Sequence, residues 1–108
     1  MTSIVSVYAT FADEEEARRI ARAVVEEKLA ACGNILGPCH SVYRWQGSIE
    51  EAGEVAAIFK TSALAAERLV ARIAELHSYD VPAVVAWPID AAQPGYAQWV
   101  LAETSSTR

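Results

Sequence analysis

Four side chains in this sequence are competent soft or borderline metal ligands: Cys32, Cys39, His40 and His77. Their spacing closes no zinc motif, because the chain has neither a C-x-x-C nor an H-x-x-x-H run. Each also has a purely structural reading. Cys32 follows Lys-Leu-Ala-Ala at a helix-to-strand junction, where cysteine serves as a small buried hydrophobe. His77 falls at the end of an expected helix, where an imidazolium gains from the helix dipole. Cys39-His40 reads equally as a ligand pair or as a loop pair of no consequence. Catalytic chemistry is less well represented. There is no G-x-S-x-G, no P-loop and no G-x-G-x-x-G. Glu50 and Glu51 are adjacent carboxylates, but neighbours in a strand point to opposite faces and cannot share a substrate. The expectation is a protein that is not an enzyme.

The elements that must carry these residues are organised around Ser41 to Thr61. This stretch reads as two strands joined at Gly47-Ser48, with glycine first as a type II′ turn prefers. That register sets Gln46 opposite Ile49, Arg44 opposite Glu51 and Ser41 opposite Glu54. Tyr43 and Trp45 share one face, with Val42 and Arg44 on the other. Gly53 inside the second strand suggests a bulge or a close backbone approach. Strands of roughly ten residues, about 33 Å, outrun what so small a domain can cover. Part of the hairpin must project, carrying aromatics to its tip, and a projecting aromatic ribbon invites pairing with another chain.

Around it, Ser3 to Thr10 reads as a central strand. Asp13 offers an N-cap with Glu16 three residues on, opening a helix that runs to about Leu29. Ala30 to Val42 leads into the hairpin as a bent strand or a strand-loop-strand, interrupted by Gly33, Gly37 and Pro38. Ser62 is a candidate cap for a second helix, ending near His77, whose buried stripe is Ala66, Leu69, Val70, Ile73 and His77. Ala83 to Ile89 forms a last strand. Pro94-Gly95 introduces a short helix bearing Tyr96 and Trp99, and the tail TSSTR frays. The order β-α-β-β-α-β plus a terminal helix is an α+β, ferredoxin-like sandwich.

At 108 residues the chain makes one domain, and its 53% hydrophobic content suits a protein that hides surface between subunits. The net charge of −5, with no basic cluster, argues against nucleic acid and anionic membranes as partners. No apolar run is long enough to span a bilayer, and the N-terminus lacks a basic leader. The expected compartment is cytoplasmic, where both cysteines remain thiols.

Several stretches resemble the CutA family of divalent-cation tolerance proteins, which is associated with copper. They are KLAACGN at 28–34, SVYRWQGSIEEAGEV at 41–55, KT at 60–61, HSYDVP at 77–82 and the Y-x-x-W of Tyr96 and Trp99. The similarity runs in order from Ser3 to Leu101. It implies a ferredoxin-like subunit in a homotrimer similar to the PII signalling proteins, with hairpins pairing between subunits. It implies metal sites at Cys32 and His77. It also implies an inter-subunit cleft formed by Tyr43, Trp45, Glu54, Lys60 and Tyr79. The function implied is copper binding in cation tolerance, with a PII-like sensor of a small anionic or amphipathic metabolite as the alternative. The sequence departs from the family's common form at Asp80 and Ala83, where glutamate is usual.

Overall fold

A computed structural model describes residues 2–105. Its central strand is β1 (Ile4–Phe11), in which Val5, Val7, Ala9 and Phe11 alternate with Ile4, Ser6 and Thr10 and nearly every position is buried. A strand buried on both faces must be flanked on both edges. It pairs antiparallel with β3 (Ser48–Ser62) on one side and with β4 (Val84–Pro88) on the other. β2 (Cys32–Trp45) adds to the free edge of β3, giving the order β2-β3-β1-β4. Two helices, α1 (Glu14–Glu26) and α2 (Ala66–Leu76), cover one face. There Ile20, Val24, Leu69 and Ile73 pack with Val7, Phe11 and Phe59. The expected ferredoxin-like arrangement is therefore the observed one.

The opposite face is only partly covered. α3 (Pro94–Glu103) packs one end of it through Val100, against Ile4 and Ala31. Its last turn is closed by Thr104, which is buried and donates its hydroxyl to the Val100 carbonyl at 2.8 Å. The expected fraying of the tail thus does not begin at Thr104, and residues 106–108 lie outside those described. Elsewhere on this face Tyr8 touches Trp87, and Val85 and Trp87 remain exposed.

The start of α1 follows its capping signal. Asp13 accepts from Glu16 N at 2.8 Å, and Glu16 reaches back to Ala12 N at 3.0 Å. The helix stops at Glu26, three residues short of Leu29. Lys28 takes a left-handed φ of 62°, and Leu29 N then bonds the Val24 carbonyl at 3.0 Å, a turn that unwinds the helix.

The hairpin differs from its expected register. The turn falls at Gln46-Gly47, both left-handed with φ of 50° and 86°, which is the type I′ form. Trp45 consequently faces Ser48, Arg44 faces Ile49 and Val42 faces Glu51. The expected Arg44–Glu51 pair does not form, and Glu51 takes His40 instead, with His40 Nε2 2.6 Å from its carboxylate. The shift is an even number of residues, so every side chain keeps its face. The bulge lies at Ile35–Gly37 rather than at Gly53, which pairs normally with His40. At 14 and 15 residues the two strands are longer than expected, and they stretch the molecule to 44 Å.

Close packing under β2 supplies a test. A Cβ on Gly33 would stand 3.0 Å from Phe59 Cδ2 and Cε2 and 3.3 Å from Ala21 Cβ. Gly33→Ala is expected to lower stability by about 1–3 kcal/mol through overpacking, read as a lower denaturant midpoint with unchanged slope. An unchanged midpoint would mean that the Phe59 ring moves aside freely.

Candidate functional site

The site is built on the connector after α2. At His77 the backbone becomes extended, with φ −74° and ψ 148°, and turns the imidazole into the protein. The ring stacks on Phe11 at 5.1 Å between centroids, and the side chain has no solvent exposure. Its Nε2 lies 2.8 Å from the Thr10 carbonyl oxygen and its Nδ1 lies 3.1 Å from the Tyr79 backbone nitrogen. A carbonyl only accepts and an amide N–H only donates. Nε2 therefore carries the proton and Nδ1 is the acceptor, so both nitrogens are spent.

Glu16 fixes the next residue. Its buried carboxylate accepts from Ser78 N at 2.7 Å as well as from Ala12 N. Burial opposes its charge, but the bonds from Ala12 and Ser78 together outweigh that and hold its pKa below the ordinary value. With residues 77 and 78 pinned, Tyr79 projects toward the hairpin. Its ring lies against His77, and its hydroxyl donates to Glu54 Oε2 at 2.9 Å. Ser41 Oγ donates to the other oxygen, Glu54 Oε1, at 2.6 Å. Burial first, and then the bond to Glu54, push the Tyr79 phenol up to about 12.

These contacts close a cleft of about 630 Å³ between the connector and the projecting hairpin. Tyr43, Trp45, Glu54 and Tyr79 line it together within one subunit, whereas the cleft implied by the resemblance lies between subunits. Lys60 does not line it. It sits six residues along β3 from Glu54, about 20 Å away at strand spacing, beside Cys32 in the register. Thr10, Ser41, Asp80, Val81 and Ala83 complete the lining and were not singled out as cleft residues from sequence. Ser41 was within reach, because it shares the odd-numbered face of β2 with Tyr43 and Trp45. Thr10 depends on the pairing of β1 with β3, which local pattern does not encode.

The four candidate ligands do not converge. The Cys32 thiol is half-buried and lies 3.5 Å from the Tyr96 hydroxyl. Burial and then the Cys32 contact push that phenol up to about 12. Cys32 sits level with Ser6 of β1, whereas His77 binds Thr10 at the other end and packs on the helix-covered face. Cys39 and His40 point to opposite faces of β2, Cys39 toward Ser41 and His40 toward Glu51. Among the described residues no three His, Cys, Asp or Glu side chains group closely enough to hold a metal. The pair Cys32 and His77 therefore does not fit a metal within one subunit. Both cysteines are free thiols.

Residues 5–103 match the family model for the CutA1 divalent ion tolerance protein. The chain belongs to this family. It is 42% identical over 101 residues to the divalent-cation tolerance protein CutA of Pyrococcus horikoshii, covering 94% of this chain and 98% of that protein. To the mouse protein CutA it is 38% identical over 96% of this chain, but it spans only 59% of the mouse protein's length. Among solved structures, CutA from Xylella fastidiosa superposes with a TM-score of 0.93 at 33% identity, over 96% of this chain and all of that one. The Thermus thermophilus protein gives 0.91 at 42% identity, covering 94% of this chain and 99% of that one. The CutA fold and the resemblance read from sequence are thus confirmed.

The connector's anchor predicts a pH dependence. Glu16 has a folded pKa below its unfolded one, so its contribution is complete above pH 4.5, the ordinary carboxyl value, and is lost as pH falls through the folded value. Glu16→Gln is expected to lower stability at pH 7 by about 1–3 kcal/mol and to flatten the acid limb of the stability curve. Denaturation midpoints between pH 7 and pH 3 measure both. Parallel acid limbs for the two proteins would rule out this role.

Proposed function

We propose that this CutA family member serves divalent-cation tolerance as a non-enzymatic, cytoplasmic, PII-like homotrimer whose working site is the cleft beneath the hairpin. The observation that carries this reading is the Tyr79–Glu54–Ser41 bridge. It ties the connector to the hairpin with two hydroxyl donors on one carboxylate and leaves a walled space beside it. Trimer formation is supported by the sheet face that α3 leaves open and by the exposed Tyr43, Trp45, Val85 and Trp87. Free thiols at Cys32 and Cys39 suit a reducing compartment.

Direct copper binding is the second reading, and one observation favours it. The half-buried Cys32 thiol is a soft donor suited to Cu(I). His77 is assigned a structural role, since a metal would have to displace one of its two buried hydrogen bonds.

Two experiments test these assignments. Sedimentation equilibrium is expected to give a trimer at micromolar concentration. Val85→Glu, which places a charge on the open face, should weaken association at least about tenfold. A folded monomer from the parent protein would sink the trimer. In the second, copper is titrated against a chelator of known affinity. His77→Gln should change copper affinity by less than about twofold while lowering the melting temperature, and Cys32→Ser should weaken Cu(I) more than Cu(II). A tenfold loss with His77→Gln at unchanged stability would restore His77 as a ligand.

A further inference from the structure

The buried ring of His77 and the buried carboxylate of Glu16 can exchange bonds, and a proton sets the exchange. Both side chains are enclosed by their own chain, so their pairing does not depend on what a neighbouring subunit covers. In the neutral state the ring is a closed clamp. Nε2–H donates to the Thr10 carbonyl at 2.8 Å, and Nδ1 accepts from the Tyr79 amide at 3.1 Å. The second bond needs a bare Nδ1. A proton there turns the acceptor into a donor, and two N–H groups then face each other. The Thr10 bond survives that change, because Nε2 is a donor in both states. The Tyr79 bond does not.

A partner for the charged ring is already in place. Glu16 Oε2 lies 3.8 Å from Nδ1, too far for a hydrogen bond and close enough for an ion pair. This oxygen accepts from Ser78 N and keeps a second lone pair, while Oε1 serves Ala12 N. The other charged groups around the ring do not compete. Arg19 of α1 stands 3.9 Å from the same oxygen, but its side chain is largely exposed and the contact is long. From β1 the ring meets the Phe11 face and the Thr10 carbonyl, neither of which titrates. On α2, Arg72 bonds Glu75 and Glu27. The connector adds the Tyr79 phenol and the exposed Asp80, and Glu54 of β3 meets that phenol rather than the ring.

We propose that His77 is a proton-operated latch on the connector: the neutral ring holds the Tyr79 amide, and the protonated ring releases it and pairs with Glu16. One proton is taken from solvent, and one hydrogen bond is exchanged for an ion pair. Protonation of a histidine is a general way to flip a contact between two elements. The bonds to Thr10 and Ser78 persist through the exchange, so the chain is freed only from Tyr79 onward. Tyr79 also carries the hydroxyl that holds Glu54, and acid therefore uncouples the connector from the hairpin. The latch stands on these bonds alone and not on the cleft being the working site.

The test follows the ¹⁵N-labelled, assembled protein as pH is lowered from about 8 until the fold is lost. Imidazole nitrogen resonances report the ring's charge, and amide exchange, corrected for its intrinsic pH dependence, reports each backbone bond. Ring charging and release of the Tyr79 amide are expected to share one midpoint. Protection at Tyr79 should fall at least about tenfold there while Ser78 keeps its own. Glu16→Gln removes the anion that answers the charged ring and should move the ring's midpoint down by at least about one pH unit. Tyr79→Phe keeps the amide and deletes the hydroxyl, so it should leave that midpoint in place and still show the amide released. It keeps the latch readable if Glu16→Gln folds poorly. A ring that stays neutral wherever the protein is folded would overturn the proposal. So would a charged ring beside a still-protected Tyr79 amide. Loss of Tyr79 and Ser78 protection together would also overturn it, since that is unfolding of the connector rather than release.

Discussion

A histidine and a glutamate buried at the end of β1 must find partners for their polar atoms, and they find them in the backbone of the connector. His77 takes the Thr10 carbonyl and the Tyr79 amide, while Glu16 takes Ser78 and Ala12. Leaving any of these groups unpaired inside the protein would cost about 1–3 kcal/mol. The connector therefore has little freedom. Its first three residues are fixed relative to α1, β1 and the Phe11 ring, and the direction of Tyr79 follows. The cleft exists because this anchor aims a tyrosine at a carboxylate on a strand distant in sequence.

The other wall comes from strand length. β2 and β3 run well past the end of β1, so the far half of the hairpin has no neighbouring strand and no helix over it. Its odd-numbered face on β2 carries Ser41, Tyr43 and Trp45, facing the connector. Its opposite face carries Val42, Ile49 and the His40–Glu51 pair, all exposed. Large apolar side chains left on an extended ribbon are normally covered, and the open half of the sheet bearing Val85 and Trp87 makes the same demand. Self-association is the simplest way for one small domain to meet both.

Much of this was legible in the residues. A short β-branched run, apolar on both sides, located β1, and the Asp13–Glu16 spacing located the start of α1. The 3.6-residue stripe predicts His77 to be buried as part of the second helix; it is buried, but by the extended backbone just past Leu76. Parity carried Tyr43 and Trp45 to the correct face even though the turn was placed one residue late. What failed was set by backbone conformations that composition does not announce. Gln46 and Lys28 adopt left-handed φ values that glycine or asparagine would have advertised. The role of His77 was undetermined for a related reason. Imidazole is as good a structural hydrogen-bonding group as it is a ligand, and local sequence does not show the Thr10 carbonyl and Tyr79 amide that meet its two nitrogens. Within one subunit Lys60 stands about 20 Å along β3 from Glu54 and does not share the lining of the cleft.

The central claim is that His77 builds the cleft rather than binding metal, and imidazole nitrogen NMR reads this directly. With ¹⁵N-labelled protein at neutral pH, the account predicts a neutral ring protonated at Nε2 and bare at Nδ1. Both resonances should be unmoved by one equivalent of Cu(I). A ring protonated at Nδ1, or an Nδ1 or Nε2 resonance displaced by Cu(I), would contradict it.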